Sequence, residues 1–253
     1  MNLRPKKQLG QHFLVDENIL RVIERLAELD RNDVVLEIGP GRGVLTRFLA
    51  DRVALVHAVE IDRSLELHLQ SNERVRVHWG DALRLDLGAL DPAPGKLVAN
   101  LPYNVATPIV AESIDGLPSI ELWCVMVQRE VADRFFARPG TKAYSAVSVL
   151  VQLAAERVGF HPVSREVFRP RPNVDSALVA FRRVEQPREY RRVKDIVEAA
   201  FAYRRKTLPN SLALAGIERR RAEDALRTLG HDASTRAEAL EPTEFVALAE
   251  ALV

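Results

Sequence analysis

Asn100, Leu101, Pro102 and Tyr103 follow one another where an apolar run ends and a helix-like run begins. Asn100 supplies an amide carbonyl, and Leu101 a main-chain carbonyl whose direction Pro102 constrains. Two such acceptors suit an aryl amine. Its lone pair is delocalised into the ring, and acceptors that take its two protons rotate that pair out of conjugation. Tyr103 offers a face for a purine, a stacking contact worth on the order of 1–3 kcal/mol per base. The run therefore has the chemistry of a socket for a flipped or unpaired base whose exocyclic amine is alkylated. The plainer alternative is a proline turn with its tyrosine packed on the edge of a sheet.

A second cluster lies upstream. In "EIGPGRGVLT", Gly39, Gly41 and Gly43 separate a strand-like run from a helix-like one, where glycine permits a tight turn and the close approach of a ligand. The spacing ends in Val44, where a dinucleotide fingerprint requires glycine or alanine, so pyrophosphate is disfavoured. Glu60 ends the next strand-like run and can accept both hydroxyls of a ribose, and Asp81 ends a third, where it suits an adenine amino group. Glycine turn and acids together fit a nucleoside held by its ribose without phosphates, and S-adenosylmethionine is such a ligand. Each acid taken singly also reads as an N-cap or turn residue, and Asp62 is assigned that role ahead of "RSLELHLQ".

These residues need strand ends to hold them. Short, mostly apolar runs occur at 34–38, 54–61, 75–79, 96–100, 120–127 and 174–184. Continuous apolarity predicts burial on both faces, as in the inner strands of a parallel sheet covered by helices. Ile19, Val22, Ile23 and Leu26 recur at helical spacing, with Asp16 and Glu17 at the start of that helix. Thr107 is the expected N-cap of the helix that begins near Pro108. From Tyr190 onward the pattern is helical. The expected architecture is a Rossmann-like α/β domain, 1–186, followed at Gln186-Pro187 by a small all-helical domain, 187–253.

Composition narrows the classes. The chain has 253 residues, 47% hydrophobic and 28% charged, which is the profile of a globular protein with a real core. No apolar run approaches the roughly 18 residues of a membrane span. The basic N-terminus lacks the apolar centre of a secretory signal, so a cytoplasmic location is expected. The single cysteine, Cys124, sits in "LWCVMV" and reads as a buried thiol. The six histidines show no paired ligand spacing, and no metal is expected. Lys+Arg total 36 against 35 Asp+Glu, yet the basic residues cluster: Arg4, Lys6 and Lys7; Arg165, Arg169 and Arg171; and, between 188 and 227, Arg191-Arg192, Arg204-Arg205-Lys206 and Arg219-Arg220-Arg221. One cluster reads as a solvated helix face; three point to an extended anionic ligand.

Over essentially its whole length the chain resembles the small-subunit rRNA adenine N6,N6-dimethyltransferases of the bacterial KsgA type. The resemblance is carried by "QHFL" (11–14), "EIGPGRGVLT", "EID", "GDAL", "NLPYN", "VFRPRPNVDSALV" (167–179) and "FAYRRKTLPNSL" (201–212). It implies that His12 and Leu14 close over S-adenosylmethionine, Gly39 backs its methionine part, Glu60 binds ribose and Asp81 binds adenine, with Gly41 and Ala82 also among the cofactor-binding residues. It further implies that Asn100, Leu101, Pro102 and Tyr103 form the catalytic loop, with Asn100 also near the cofactor, and that Phe168 walls the base socket opposite Tyr103. Arg204, Arg205 and Lys206 are expected to contact RNA. The implied partner is small-subunit rRNA in an assembling subunit, and the default state is a monomer. His12 stands where many members carry Asn, and the C-terminal region is short. Two other readings remain: a large-subunit rRNA adenine methyltransferase of the macrolide-resistance type, which shares the cofactor motifs and the Asn-x-Pro-Tyr loop, and a ribosome-assembly factor that binds RNA without catalysis.

Overall fold

The computed structural model describes residues 12–69 and 73–252; Arg4, Lys6, Lys7 and Gln11 lie outside the described residues. In chain order the elements are β1 (Phe13–Leu14), α1 (Glu17–Leu26), β2 (Val34–Ile38), α2 (Val44–Ala50), β3 (Leu55–Glu60), α3 (Glu66–Leu69), β4 (Val75–Trp79), β5 (Lys96–Asn100), α4 (Ala106–Gly116), β6 (Leu122–Gln128), α5 (Arg129–Phe135), α6 (Ala146–Ala154), β7 (Ala155–Val163), β8 (Phe168–Arg169), β9 (Ser176–Arg183), α7 (Tyr190–Phe201), α8 (Leu208–Leu214), α9 (Arg219–Thr228) and α10 (Pro242–Ala251).

Strands pair in the order β4-β3-β2-β5-β6-β9-β7. From β4 to β6 neighbouring strands are parallel, and β9 runs antiparallel to β6 with Met126 opposite Leu178. The chain leaves β2 toward β3 and β4, then returns to add β5 on the other side of β2. Loops leaving the carboxyl ends of β2 and β5 therefore diverge, and this switch point opens a crevice between them. As the apolar runs predict, every residue of β3 is buried and only Gln128 of β6 is not fully so. β4, at the sheet edge, is half-buried.

Polar groups inside the sheet have specific partners. His57, 1% exposed in β3, places Nε2 2.9 Å from the Pro92 carbonyl and Nδ1 3.0 Å from Nε2 of His78. Because the Pro92 carbonyl only accepts, His57 Nε2 carries hydrogen and His78 donates to His57 Nδ1. Burial lowers the pKa of both imidazoles. Cys124 is 1% exposed in β6, and burial pushes its thiol up to about 12.

Local signals hold at α1, where the Asp16 carboxylate accepts from Asn18 N at 2.7 Å and Ile19 N at 3.3 Å, and Ile19 and Ile23 are buried. Asp62 likewise caps the turn before α3, accepting from Ser64 N at 3.1 Å. Thr107 does not cap α4. The helix starts at Ala106, because Val105 closes a turn onto the Pro102 carbonyl and then itself accepts from Ile109 N.

The chain divides into two compact units: Met1–Ala132 with Arg157–Arg183, and Asp133–Glu156 with Val184–Val253. This corrects the expected boundary at Gln186-Pro187, since Asp133–Glu156 belongs with the C-terminal helices. The reason is α6, whose "AVSVLVQLA" buries seven residues and needs apolar partners. Tyr190 Oη donates to the Leu150 carbonyl, Tyr144 Oη donates to the Leu240 carbonyl, and Tyr144, Phe201 and Phe245 form a chain of ring contacts with centroids 5.9 and 5.8 Å apart. Among the described residues no helix is long and apolar enough to cross a membrane.

Candidate active site

The turn after β2 is shaped by its main chain. Gly39, Gly41 and Gly43 have φ of +74°, +57° and +71°, values that favour glycine. Space forbids side chains as well: a Cβ on Gly41 would lie 2.8 Å from the Phe13 ring, and one on Gly39 would lie 3.1 Å from Pro102. The result is a bare backbone floor under a cavity of about 300 Å³ at the switch point.

Around that floor stand the acids. Glu60, 5% exposed at the end of β3, accepts from Gly41 N through Oε2 at 3.1 Å and from Asp62 N through Oε1 at 2.9 Å. Each oxygen keeps a second lone pair, so the carboxylate can accept a vicinal pair of hydroxyls. Burial raises its pKa, and the two main-chain N–H groups oppose the rise. Asp81 follows β4, half-buried, with Oδ1 accepting from Leu83 N at 3.0 Å, and Ala82 lines the cavity beside it. Ile38, Val59 and the exposed Ile61 give this end apolar walls.

At the other end β5 delivers Asn100. Its Nδ2 donates to the His12 carbonyl at 2.9 Å, which commits the nitrogen to the main chain and leaves Oδ1 as the acceptor. Leu101 N donates to the Met126 carbonyl of β6, so the loop continues the sheet register for one residue. Pro102 packs on Gly39, joining the two turns. The Tyr103 hydroxyl is 2.6 Å from Ser176 Oγ, and its ring is stacked with that of His12, centroids 5.3 Å apart. Burial raises the Tyr103 pKa, and its hydroxyl therefore stays protonated.

Leu14, 4% exposed, lines the cavity, and His12 and Gly39 are there too. Phe168 is not. It is fully buried in the core, paired across β1–β8 with Leu14, and does not line the cavity. Side chains alternate along a strand, so burying Phe168 turns its neighbour Arg169 outward. The structure thus places the residue expected to wall the base socket opposite Tyr103 within the core cluster. Arg204, Arg205 and Lys206 lie in the second unit, all exposed in the loop between α7 and α8, beside the exposed Tyr203. Of the clustered arginines in the first unit, Arg165 donates to the Asn173 carbonyl, Arg169 to those of Glu166 and Phe168, and Arg171 pairs with Glu166.

Several lining residues escaped the sequence reading, among them Phe13, Glu37 and Arg42. Glu37 is 1% exposed, and its Oε2 has no hydrogen-bond partner among the described residues. Burial, with the Glu60 charge adding to it, pushes its pKa up to about 8. A carboxylate inside "VVLEI" interrupts an otherwise apolar run, and that cost was the available signal. Arg42 places its guanidinium 4.9 Å from the Phe13 ring centre and is the one arginine or lysine among the described lining residues.

These groups fit a nucleoside bearing an amino-acid chain: acceptors for ribose and for an amine, apolar walls for a purine, a bare floor for a thin chain, and Arg42 as a positive charge for a carboxylate. Among the described residues no three His, Cys, Asp or Glu side chains gather as a metal site.

The family model "Ribosomal RNA adenine dimethylase" matches residues 2–252. A protein of Rubrobacter xylanophilus named "Ribosomal RNA small subunit methyltransferase A" is 53% identical over 97% of this chain and 94% of its own length. One of the same name from Thermobifida fusca is 44% identical over 99% and 91%. Among solved structures, the 23S rRNA methyltransferase ErmE is 31% identical, covers 95% of this chain and 99% of its own, and superposes with a TM-score of 0.67. A dimethyladenosine transferase from Plasmodium falciparum, 24% identical over 94% and 96%, shares the fold at a TM-score of 0.75. The chain belongs to the ribosomal RNA adenine dimethylase family.

Proposed function

We propose that this protein transfers methyl groups from S-adenosylmethionine to the N6 amines of two adjacent adenosines in the 3'-terminal hairpin of small-subunit rRNA, two to each. The observation that carries the reading is the Asn100 amide, whose nitrogen is held by the His12 carbonyl so that Oδ1 is presented as an acceptor next to Tyr103 at the cavity.

When bound, S-adenosylmethionine supplies a methyl on a sulfonium, activated and with a neutral leaving group. Glu60 takes the ribose hydroxyls, Asp81 and Ala82 take the adenine edge, and Gly39 and Gly41 admit the amino-acid chain, with Leu14 closing over it. Asn100 Oδ1 and the Leu101 carbonyl accept the two protons of the target amine and turn its lone pair toward the methyl carbon. Tyr103 stacks on the target base. No strong base is needed: the surplus proton becomes acidic only as the nitrogen gains positive charge, and it leaves to solvent or by way of Asn100. Positioning and charge alignment account for the catalysis.

Arg204, Arg205 and Lys206 are suited to RNA phosphates, with Tyr203 beside them, and their exposure supports that role. An rRNA substrate favours a cytoplasmic protein that meets an assembling small subunit, and a monomer suffices for every role assigned. The relatives named for the small subunit, at 42–53% identity, favour that substrate over the large-subunit alternative suggested by the 31% identical ErmE.

The test is transfer from labelled S-adenosylmethionine to small subunits lacking dimethyladenosine, with nucleoside mass spectrometry of the products. N6,N6-dimethyladenosine at the terminal hairpin is expected. Transfer to large-subunit rRNA alone would overturn the substrate, and cofactor binding without transfer to either would favour an assembly role.

A further inference from the structure

His12 touches both side chains of the base-binding loop. Its carbonyl accepts from Asn100 Nδ2 at 2.9 Å, and its ring lies against Tyr103 with planes 28° apart. Its Nδ1 is 2.8 Å from the Pro170 carbonyl. A carbonyl only accepts, so Nδ1 carries the hydrogen, and the imidazole is tied to residue 170 as well as to Tyr103. Tyr103 is in turn tied by its hydroxyl to Ser176 Oγ at 2.6 Å. The phenol is thereby fixed at its hydroxyl and on one face. A purine that stacks on it has one orientation of the plane to meet, and the acceptor that must reach its amine is set by the same residue's carbonyl.

We propose that His12 is a positioning residue for base alkylation: its side chain acts on the Tyr103 plane, so its contribution is to turnover and not to cofactor affinity. The proposal rests on the methylation reading above and deepens it, moving the His12 side chain from the cofactor to the base. Orienting a reacting group within a fraction of an ångström is worth large rate factors, and a phenol free to tilt loses part of that gain.

Three variants separate the contributions. His12→Ala removes ring and hydrogen bond, His12→Asn keeps a donor for Pro170 without the ring, and His12→Phe keeps the ring without the donor. For each, kcat and KM are measured on undimethylated small subunits, cofactor Kd by calorimetry, and base insertion by the fluorescence of 2-aminopurine placed at the target position. His12→Ala should lower kcat by roughly tenfold to a hundredfold with cofactor Kd changed less than about twofold, His12→Asn, the residue many members carry there, should lower it less, and His12→Phe should recover most of the rate. The 2-aminopurine signal should weaken in step with kcat.

A fall in kcat matched by an equal loss of cofactor affinity would return the side chain to the cofactor site and overturn the proposal. So would a His12→Phe variant as slow as His12→Ala, or a His12→Ala variant as fast as the parent or faster, the latter meaning that the imidazole occupies the face the base needs. Failure of the unsubstituted protein to make dimethyladenosine would instead remove the activity on which the proposal stands, and is read before any variant.

Discussion

Two strand-to-helix turns face each other across the crevice, and they are built by different means. The turn after β2 takes its shape from three glycines at positive φ, with Phe13 and Pro102 filling the space that side chains would need. The turn after β5 takes its shape from side chains: Asn100 bonded to the His12 carbonyl, and Tyr103 held between His12 and Ser176. A floor made of main chain accepts no added atom. A socket made of side chains can be altered one contact at a time, so substitutions there should separate chemistry from binding.

The largest effect should come from the side-chain turn. Asn100→Ala removes an acceptor that acts on the developing charge, and turnover should fall by about a thousandfold while cofactor affinity, read by calorimetry, changes less than about twofold. An equal loss of both would erase the distinction between the turns. Gly41→Ala should do the reverse. A non-glycine residue in the left-handed region costs roughly 1–2 kcal/mol, and the added Cβ pushes on Phe13, so cofactor Kd should weaken by about tenfold or more.

Glu37, in the strand that feeds the glycine turn, supplies a pH signature. Its folded pKa of about 8 exceeds the ordinary 4.5, so the folded state holds a proton that the unfolded state releases. Stability from this group is therefore fully present below about 4.5, falls as pH rises toward about 8, and is level above it. Denaturant midpoints measured across that range should show a shallower slope for Glu37→Gln than for the parent. His57 and His78 act in the opposite sense, since their lowered pKa values remove stability as pH falls below about 6.5. The smallest effect belongs to Tyr103→Phe, which keeps the ring and loses the bond to Ser176: about 1 kcal/mol of stability by thermal unfolding, and turnover within about threefold.

How much of this was legible in the sequence follows from how local each cause is. The runs at 34–38, 75–79 and 96–100 coincide with β2, β4 and β5; at β2 and β5 continuous apolarity reports burial directly. Both turns were visible for the same reason, since glycine, proline and asparagine act within a few residues. What depends on distant packing was not visible. Phe168 became a core residue because β8 pairs with β1, more than 150 residues earlier in the chain. Asp133–Glu156 joined the C-terminal helices because α6 needed apolar partners that sequence proximity does not indicate. β7 went unnoticed because its exposed pattern, "AERVGFHPV", is that of an edge strand with few apolar neighbours in line.

Cys124 is the chain's single thiol, buried at the centre of the sheet with its ionisation pushed up to about 12. A thiol that neither meets solvent nor ionises near neutrality does not compete for maleimides or iodoacetamides. One cysteine introduced at an exposed position, such as Arg205 or Leu214, therefore becomes a unique attachment point for a dye without first removing the native one.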